Sequence, residues 1–229
     1  MSSSCLTTSE ISDLFVEEIE SQSGRITDTF DDGLRLFQRS VFPRFEDVQP
    51  QDRLQGGVAL KATLDEICVF PYVLRKVCSN GAVMAHSLYS YRLERSIDET
   101  LEELSSTISE AITACSQEKS FTNSVKEIRS TLHVEINLAL TLLPMISSFP
   151  GSPSGDIARL ILERVFAEGL PSMFGLMNAI TSVARDTEDP EDRWRLEELG
   201  GGIAAGIFPK PPVNAPGVAN SFSRPVTVK

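Results

Sequence analysis

Beyond residue 33 the hydrophobic period of this chain changes once, near Ser96, and that change limits the folds open to it. Between Gly33 and Ser96, apolar and polar residues alternate in short runs broken by glycine and proline. After it, apolar residues recur every three to four positions. Strands gathered first and helices second predict an α+β domain with an antiparallel sheet, because parallel strands would need helices interleaved among them. At 229 residues the chain is long enough for one sizeable core.

Gly33 opens the first alternating run, in which Leu34 and Leu36 interleave with Arg35, Phe37, Arg39 and Val41 until Pro43 stops it. Val58, Leu60 and Ala62 then share a face, Leu64-Asp65-Glu66 is a turn, and Ile67 to Phe70 is a strand that Pro71 breaks or places at a sheet edge. Tyr72 to Ser79 leads to Asn80-Gly81, the strongest hairpin signal in the chain, since Asn-Gly accepts the positive φ angles of a type I′ turn. Val83, Ala85, Ser87, Tyr89 and Tyr91 line the returning strand.

An amphipathic helix precedes the sheet over residues 7 to 23, with Ile11, Leu14, Phe15 and Ile19 on its apolar side. Beyond the sheet, Ser96 and Glu99 form a capping box for a helix striped by Ile97, Leu101, Leu104, Ile108 and Ile112. A second helix runs from Phe121 to Leu143, and a third follows the loop at 150 to 155 and ends near Glu168. Ser172 caps a fourth, and Asp189-Pro190 starts a short helix that stops at Gly200-Gly201-Gly202. The expected fold is therefore an antiparallel meander of about four to five strands over residues 33 to 93 and a bundle of about four helices over 96 to 199. Residues 1 to 208 form one domain, and the Pro-rich and Ser-rich residues 209 to 229 form a flexible tail.

The net charge of -11 is unevenly spread. Residues 1 to 32 carry one basic and eight acidic side chains, and residues 96 to 199 carry eight and eighteen, whereas residues 33 to 95 carry nine basic and six acidic. Any polyanion would meet this middle segment first. Arg35, Phe37 and Arg39 share one strand face there, with Lys61, Arg75, Lys76 and Arg92 on neighbouring strands. Cations that neutralise phosphate and aromatics that stack on bases are the means by which proteins hold single strands. The alternative, which carries more weight for the sheet itself, is an amphipathic sheet whose cations pair with acidic helices packed nearby.

Catalytic motifs are absent: there is no P-loop, dinucleotide fingerprint, H-E-x-x-H or G-x-S-x-G. His86 and His133 have no ligand spacing to Cys5, Cys68, Cys78 or Cys115, so neither a metal nor another cofactor is expected. Cys68 and Cys78, placed across strands from each other, read as small buried thiols. Acids at 186 to 192 read as a solvated helix entry. The start lacks a charged region followed by an apolar one, and no run is long enough to span a membrane, so a cytoplasmic protein without membrane contact is expected.

At Gly57-Val58-Ala59-Leu60, Val77-Cys78-Ser79-Asn80-Gly81 and Met173-Phe174-Gly175-Leu176-Met177-Asn178-Ala179-Ile180-Thr181, the chain resembles the phage/plasmid-like Domain of Unknown Function 932 family. Ala62-Thr63 stands where that family often has Asn-Ser. The resemblance implies an origin in mobile elements and supplies no catalytic residues. Cation-bearing strands followed by a long helix are similar, by analogy, to single-strand annealing proteins. Two functions are thus expected: a non-enzymatic module binding single-stranded nucleic acid in phage or plasmid DNA metabolism, as a homo-oligomer, or a structural or regulatory module contacting proteins through acidic helices.

Overall fold

The computed structural model describes residues 6–94, 101–137, 154–167 and 172–207. Helix α1 (Thr8–Ser21) leads into strands β1 (Arg25–Asp31), β2 (Leu36–Val41), β3 (Phe45–Gln49), β4 (Asp52–Ala62), β5 (Glu66–Arg75), β6 (Asn80–Val83) and β7 (Tyr91–Glu94). Helices α2 (Leu101–Ser116), α3 (Glu118–Ser130), α4 (Ser154–Ala167), α5 (Met173–Asp186) and α6 (Pro190–Ala204) follow. The fold is α+β, with the strands in one antiparallel sheet ordered β1-β2-β4-β5-β6, β3 beside β4 and β7 beside β5. No helix among the described residues is long and apolar enough to cross a membrane.

Alternation along β2, β4 and β5 sends successive side chains to opposite faces, and both faces are covered. On one face Leu36, Val58, Leu60, Ile67 and Val69 meet Ile11, Phe15 and Ile19 of α1 and Leu104, Ile108 and Ile112 of α2. On the reverse face Phe37, Ala59, Cys68, Phe70 and Tyr72 gather around Trp194 of α6. A third cluster joins Leu54, Val73, Ala82 and Met84, at the far ends of the strands, to α3 through α6. Burying each such side chain contributes about 1.5–3 kcal/mol, which is why the amphipathic helices hold their places.

Local chemistry sets the helix starts. Thr7 caps α1 through a capping box with Glu10, whose Oε2 accepts from the Thr7 backbone N–H at 2.8 Å. The Ser172 hydroxyl accepts from the Gly175 N–H, and the Asp189 carboxylate accepts from the N–H groups of Glu191 and Asp192 with Pro190 beginning α6. Ser96, Ile97 and Glu99 lie outside the described residues, as do residues 138–143 of the predicted 121–143 helix and the tail.

Several expectations need correction. Asn80-Gly81 is not the hairpin turn: Lys76 to Ser79 make it, with Ser79 at φ 52°, and Asn80 stands in β6 opposite Arg75. Burial explains the shift, because Asn80 is 2% exposed and donates through Nδ2 to Thr181 Oγ1, while a Cβ on Gly81 would lie 1.9 Å from the Tyr72 hydroxyl oxygen. Pro71 neither breaks β5 nor sits on an edge strand. Opposite it, Val58 turns its N–H and carbonyl to the Ser40 hydroxyl of β2, so Pro71 directs its own backbone away from β4. Its missing N–H falls in the gap between β7 and β6, and Met84 N donates to its carbonyl at 2.9 Å. That gap also divides the predicted strand from Val83 to Tyr91 into β6 and β7.

Nor does the triple glycine end a helix. α6 runs through it, because a Cβ on Gly201 would meet the Val83 carbonyl oxygen at 2.0 Å and one on Gly200 would meet Thr181 Cγ2 at 2.5 Å. The glycines let α6 lie directly on β6 and α5. Finally, α3 stops at Ser130 rather than continuing through Ile136, since the chain turns at 131–133 and Val134 accepts from Met173 N at 2.8 Å.

Candidate functional site

The side chains named from sequence for a basic binding face stand largely inside the protein. Arg39 and Phe37 do share a face of β2, but that face looks onto α6. Arg39 is 1% exposed; its Nε donates to Glu197 Oε2 at 2.7 Å and its Nη1 to Asp28 Oδ2 at 2.8 Å. Arg193 closes the group, 3.1 Å from Asp28 and 3.4 Å from Glu197. Phe37 is fully buried with its ring centroid 5.8 Å from that of Trp194, and the Arg39 guanidinium lies 5.8 Å from the same indole.

The pairing continues along the same face. Lys61 Nζ bridges Glu66 at 3.2 Å and Glu191 at 3.1 Å, and Arg92 reaches Glu198 at 3.0 Å and Glu66 at 3.6 Å while covering the Phe70 ring. α6 thus lays Glu191, Glu197 and Glu198 over the cations of β2, β4 and β7. Arg35 and Arg75 are paired apart from this row, with Asp32 at 2.8 Å and Asp52 at 2.7 Å. Among the cations named from sequence, only Lys76, in the β5–β6 turn, is exposed with no ion pair among the described residues. The expected solvent-facing basic surface is therefore replaced by an internal ionic seam.

Burial pushes the Glu197 carboxyl above the ordinary carboxylate range, against the pull of Arg39 and Arg193. Glu198 moves up for the same reason, against Arg92 and Lys61. Burial also opposes the charge on Arg39, but Glu197 and Asp28 outweigh it and the guanidinium stays protonated. Its Nη2 has no hydrogen-bond partner among the described residues. A buried pair of this kind is weak evidence for net stability, but removing one member strands the other.

The remaining candidate chemistry is also structural. Asp186 pairs with Arg164 and Arg185, Asp189 caps α6, and Glu191 holds Lys61, so the acids near 186 to 192 point to separate partners. Among the described residues no three His, Cys, Asp or Glu side chains converge as metal ligands. Cys68 and Cys78 do not face each other: Cys68 lies between Lys61 and Arg92 on adjacent strands, and Cys78 is in the β5–β6 turn. Burial lifts the Cys68 thiol to about 12, leaving it a poor nucleophile. Asn80 and Asn178-Thr181, from two of the segments that carry the family resemblance, meet in the interior.

The acidic helices expected from sequence to contact proteins form one surface on the opposite side of the sheet. α1 and α2, packed side by side, carry Glu10, Asp13, Glu17, Glu18, Glu20, Glu102, Glu103 and Glu110 and not one Lys or Arg. Asp13, Glu17, Glu18, Glu20 and Glu110 make no ion pair among the described residues. Each helix was visible as acidic from its sequence, but their adjacency, which adds the two charges into one field, required the tertiary packing. No family model, no curated protein and no solved structure matches the chain.

Proposed function

We propose that this protein is a non-enzymatic interaction module whose acidic α1–α2 layer receives a basic protein partner. One observation carries the reading: two adjacent helices hold eight acids with no cation, on the side of the sheet away from the ionic seam. A single-signed surface of this kind steers a partner of opposite charge and speeds its encounter. The single-strand-binding reading required free positive charge on the sheet. With Arg39, Lys61 and Arg92 engaged by α6, that face offers no support for it.

The test is the affinity of the full chain for a lysine-rich peptide at low salt, compared with a variant carrying Asp13→Asn, Glu17→Gln and Glu20→Gln. All three side chains are exposed, so the variant should keep its melting temperature. Expected is saturable binding that weakens about tenfold or more in the variant and falls as salt rises. Equal binding by both proteins, or none by either, would eliminate the proposed surface.

A further inference from the structure

At one end of the sheet, where β1 begins, β2 ends and β5 turns into β6, lies a cleft of about 280 Å³ whose lining includes Ser23, Arg25, Phe42, Phe45, Gln55 and Lys76. Its charge is exceptional for this molecule. Twelve of the seventeen described Lys and Arg side chains form an ion pair with a carboxylate of the same chain. Arg25 and Lys76 are both exposed, have no such partner among the described residues, and line a cleft that contains no acid. Two like charges in one concavity repel each other, and an anion placed between them relieves that repulsion.

The rest of the lining suits a flat, partly polar body. Phe45, which lines the cleft, is 48% exposed, a position in which its ring serves for stacking. Arg53 lies 6.0 Å from the centre of that ring. Phe42 forms a fixed wall, held against Gly24, where a Cβ would come within 2.7 Å of the Phe42 ring. Gln55, 5% exposed, also lines the cleft: its Nε2 donates to the Phe42 carbonyl at 2.7 Å, and its Oε1 has no hydrogen-bond partner among the described residues.

We infer that this cleft binds a mononucleotide, with the phosphate between Arg25 and Lys76 and the base against Phe45. The volume, about 280 Å³, lies just below the range of about 300–1,000 Å³ typical of small-molecule sites and suits a ligand no larger than one nucleotide. The cleft is formed by residues other than those of the α1–α2 layer, so the two assignments stand or fall separately.

The experiment titrates the full chain with thymidine 5′-monophosphate, thymidine and inorganic phosphate by calorimetry. The monophosphate should bind saturably and about tenfold or more tightly than either fragment, since each supplies only half of the contacts. Arg25→Ala with Lys76→Ala should weaken the monophosphate about tenfold at unchanged melting temperature, and Phe45→Ala should weaken it about fivefold while leaving inorganic phosphate unaffected. Absence of saturable binding would overturn the assignment, as would thymidine or phosphate binding as tightly as the monophosphate, or a double variant that binds like the parent.

Discussion

The two sides of the sheet treat charge in opposite ways. α6 carries two cations and four acids, and it turns three of those acids, Glu191, Glu197 and Glu198, onto the cations of the sheet. α1 and α2 meet the sheet mainly through apolar side chains, with the Ser12 hydroxyl accepting from Gln38 Nε2 at 2.8 Å, and leave their acids outside. Charge on one side is therefore consumed in holding the fold together, while charge on the other remains available. A formal charge total cannot reveal this difference, because it counts a sealed carboxylate and a solvated one alike.

The largest effect should come from breaking the seam. Glu197→Leu leaves the buried Arg39 with Asp28 alone, and we expect a loss of about 3–5 kcal/mol in urea unfolding. Combining it with Arg39→Met removes both charges, so the double variant should recover most of that loss. A double variant no more stable than Glu197→Leu would show that packing, rather than the stranded charge, sets the cost.

Backbone contact comes next. Gly201→Ala drives a methyl into the Val83 carbonyl and should cost about 1–3 kcal/mol, whereas at Gly202, whose nearest atom is 3.6 Å away on His86, the same change should be neutral or stabilising by up to about 1 kcal/mol. Equal thermal shifts for the two variants would contradict the close crossing of α6 over β6.

The smallest effect is a slope with pH. Glu197 and Glu198 have folded-state values above the unfolded one, so the folded protein binds protons more readily. Their contribution is fully present below the ordinary carboxylate value and is lost as pH rises through the raised ones. Asp32 and Asp186, held low by Arg35 and Arg185, act in the reverse sense and only at more acid pH. Stability should therefore decline gently as pH rises above about 4.5, and Glu197→Gln should flatten that decline in denaturant midpoints taken across the range.

Much of the architecture was legible because periodicity survives translation into burial. Ile11, Phe15 and Ile19, and likewise Leu104, Ile108 and Ile112, are buried as their spacing requires. β1 and β3 were not anticipated, because Arg25-Ile26-Thr27-Asp28-Thr29-Phe30-Asp31 and Phe45-Glu46-Asp47-Val48-Gln49 each contain only two apolar residues. The glycine and asparagine signals misled for a shared reason. Asn80 and Gly201 match local turn and cap preferences, yet they serve contacts between elements far apart in sequence, and Gly81 and Gly200 serve close packing of neighbouring elements.

The site was legible only in part, for the same reason. Alternation correctly placed Phe37 and Arg39 on one face of β2, whereas Arg35 precedes the strand, and a strand pattern does not reveal what covers that face. Glu197 lies 158 residues from Arg39 along the chain. The cleft containing Arg25 and Lys76 likewise joins two side chains that no local motif connects.

Most direct of all is a backbone amide shift map of the full chain titrated with a lysine-rich peptide at low salt. The perturbed amides should cluster on residues 8–21 and 101–116 and leave α6 and β2 unmoved. A footprint centred on β2 or α6, or shifts scattered without saturation, would show that the free charge of this protein is not where its two acidic helices place it.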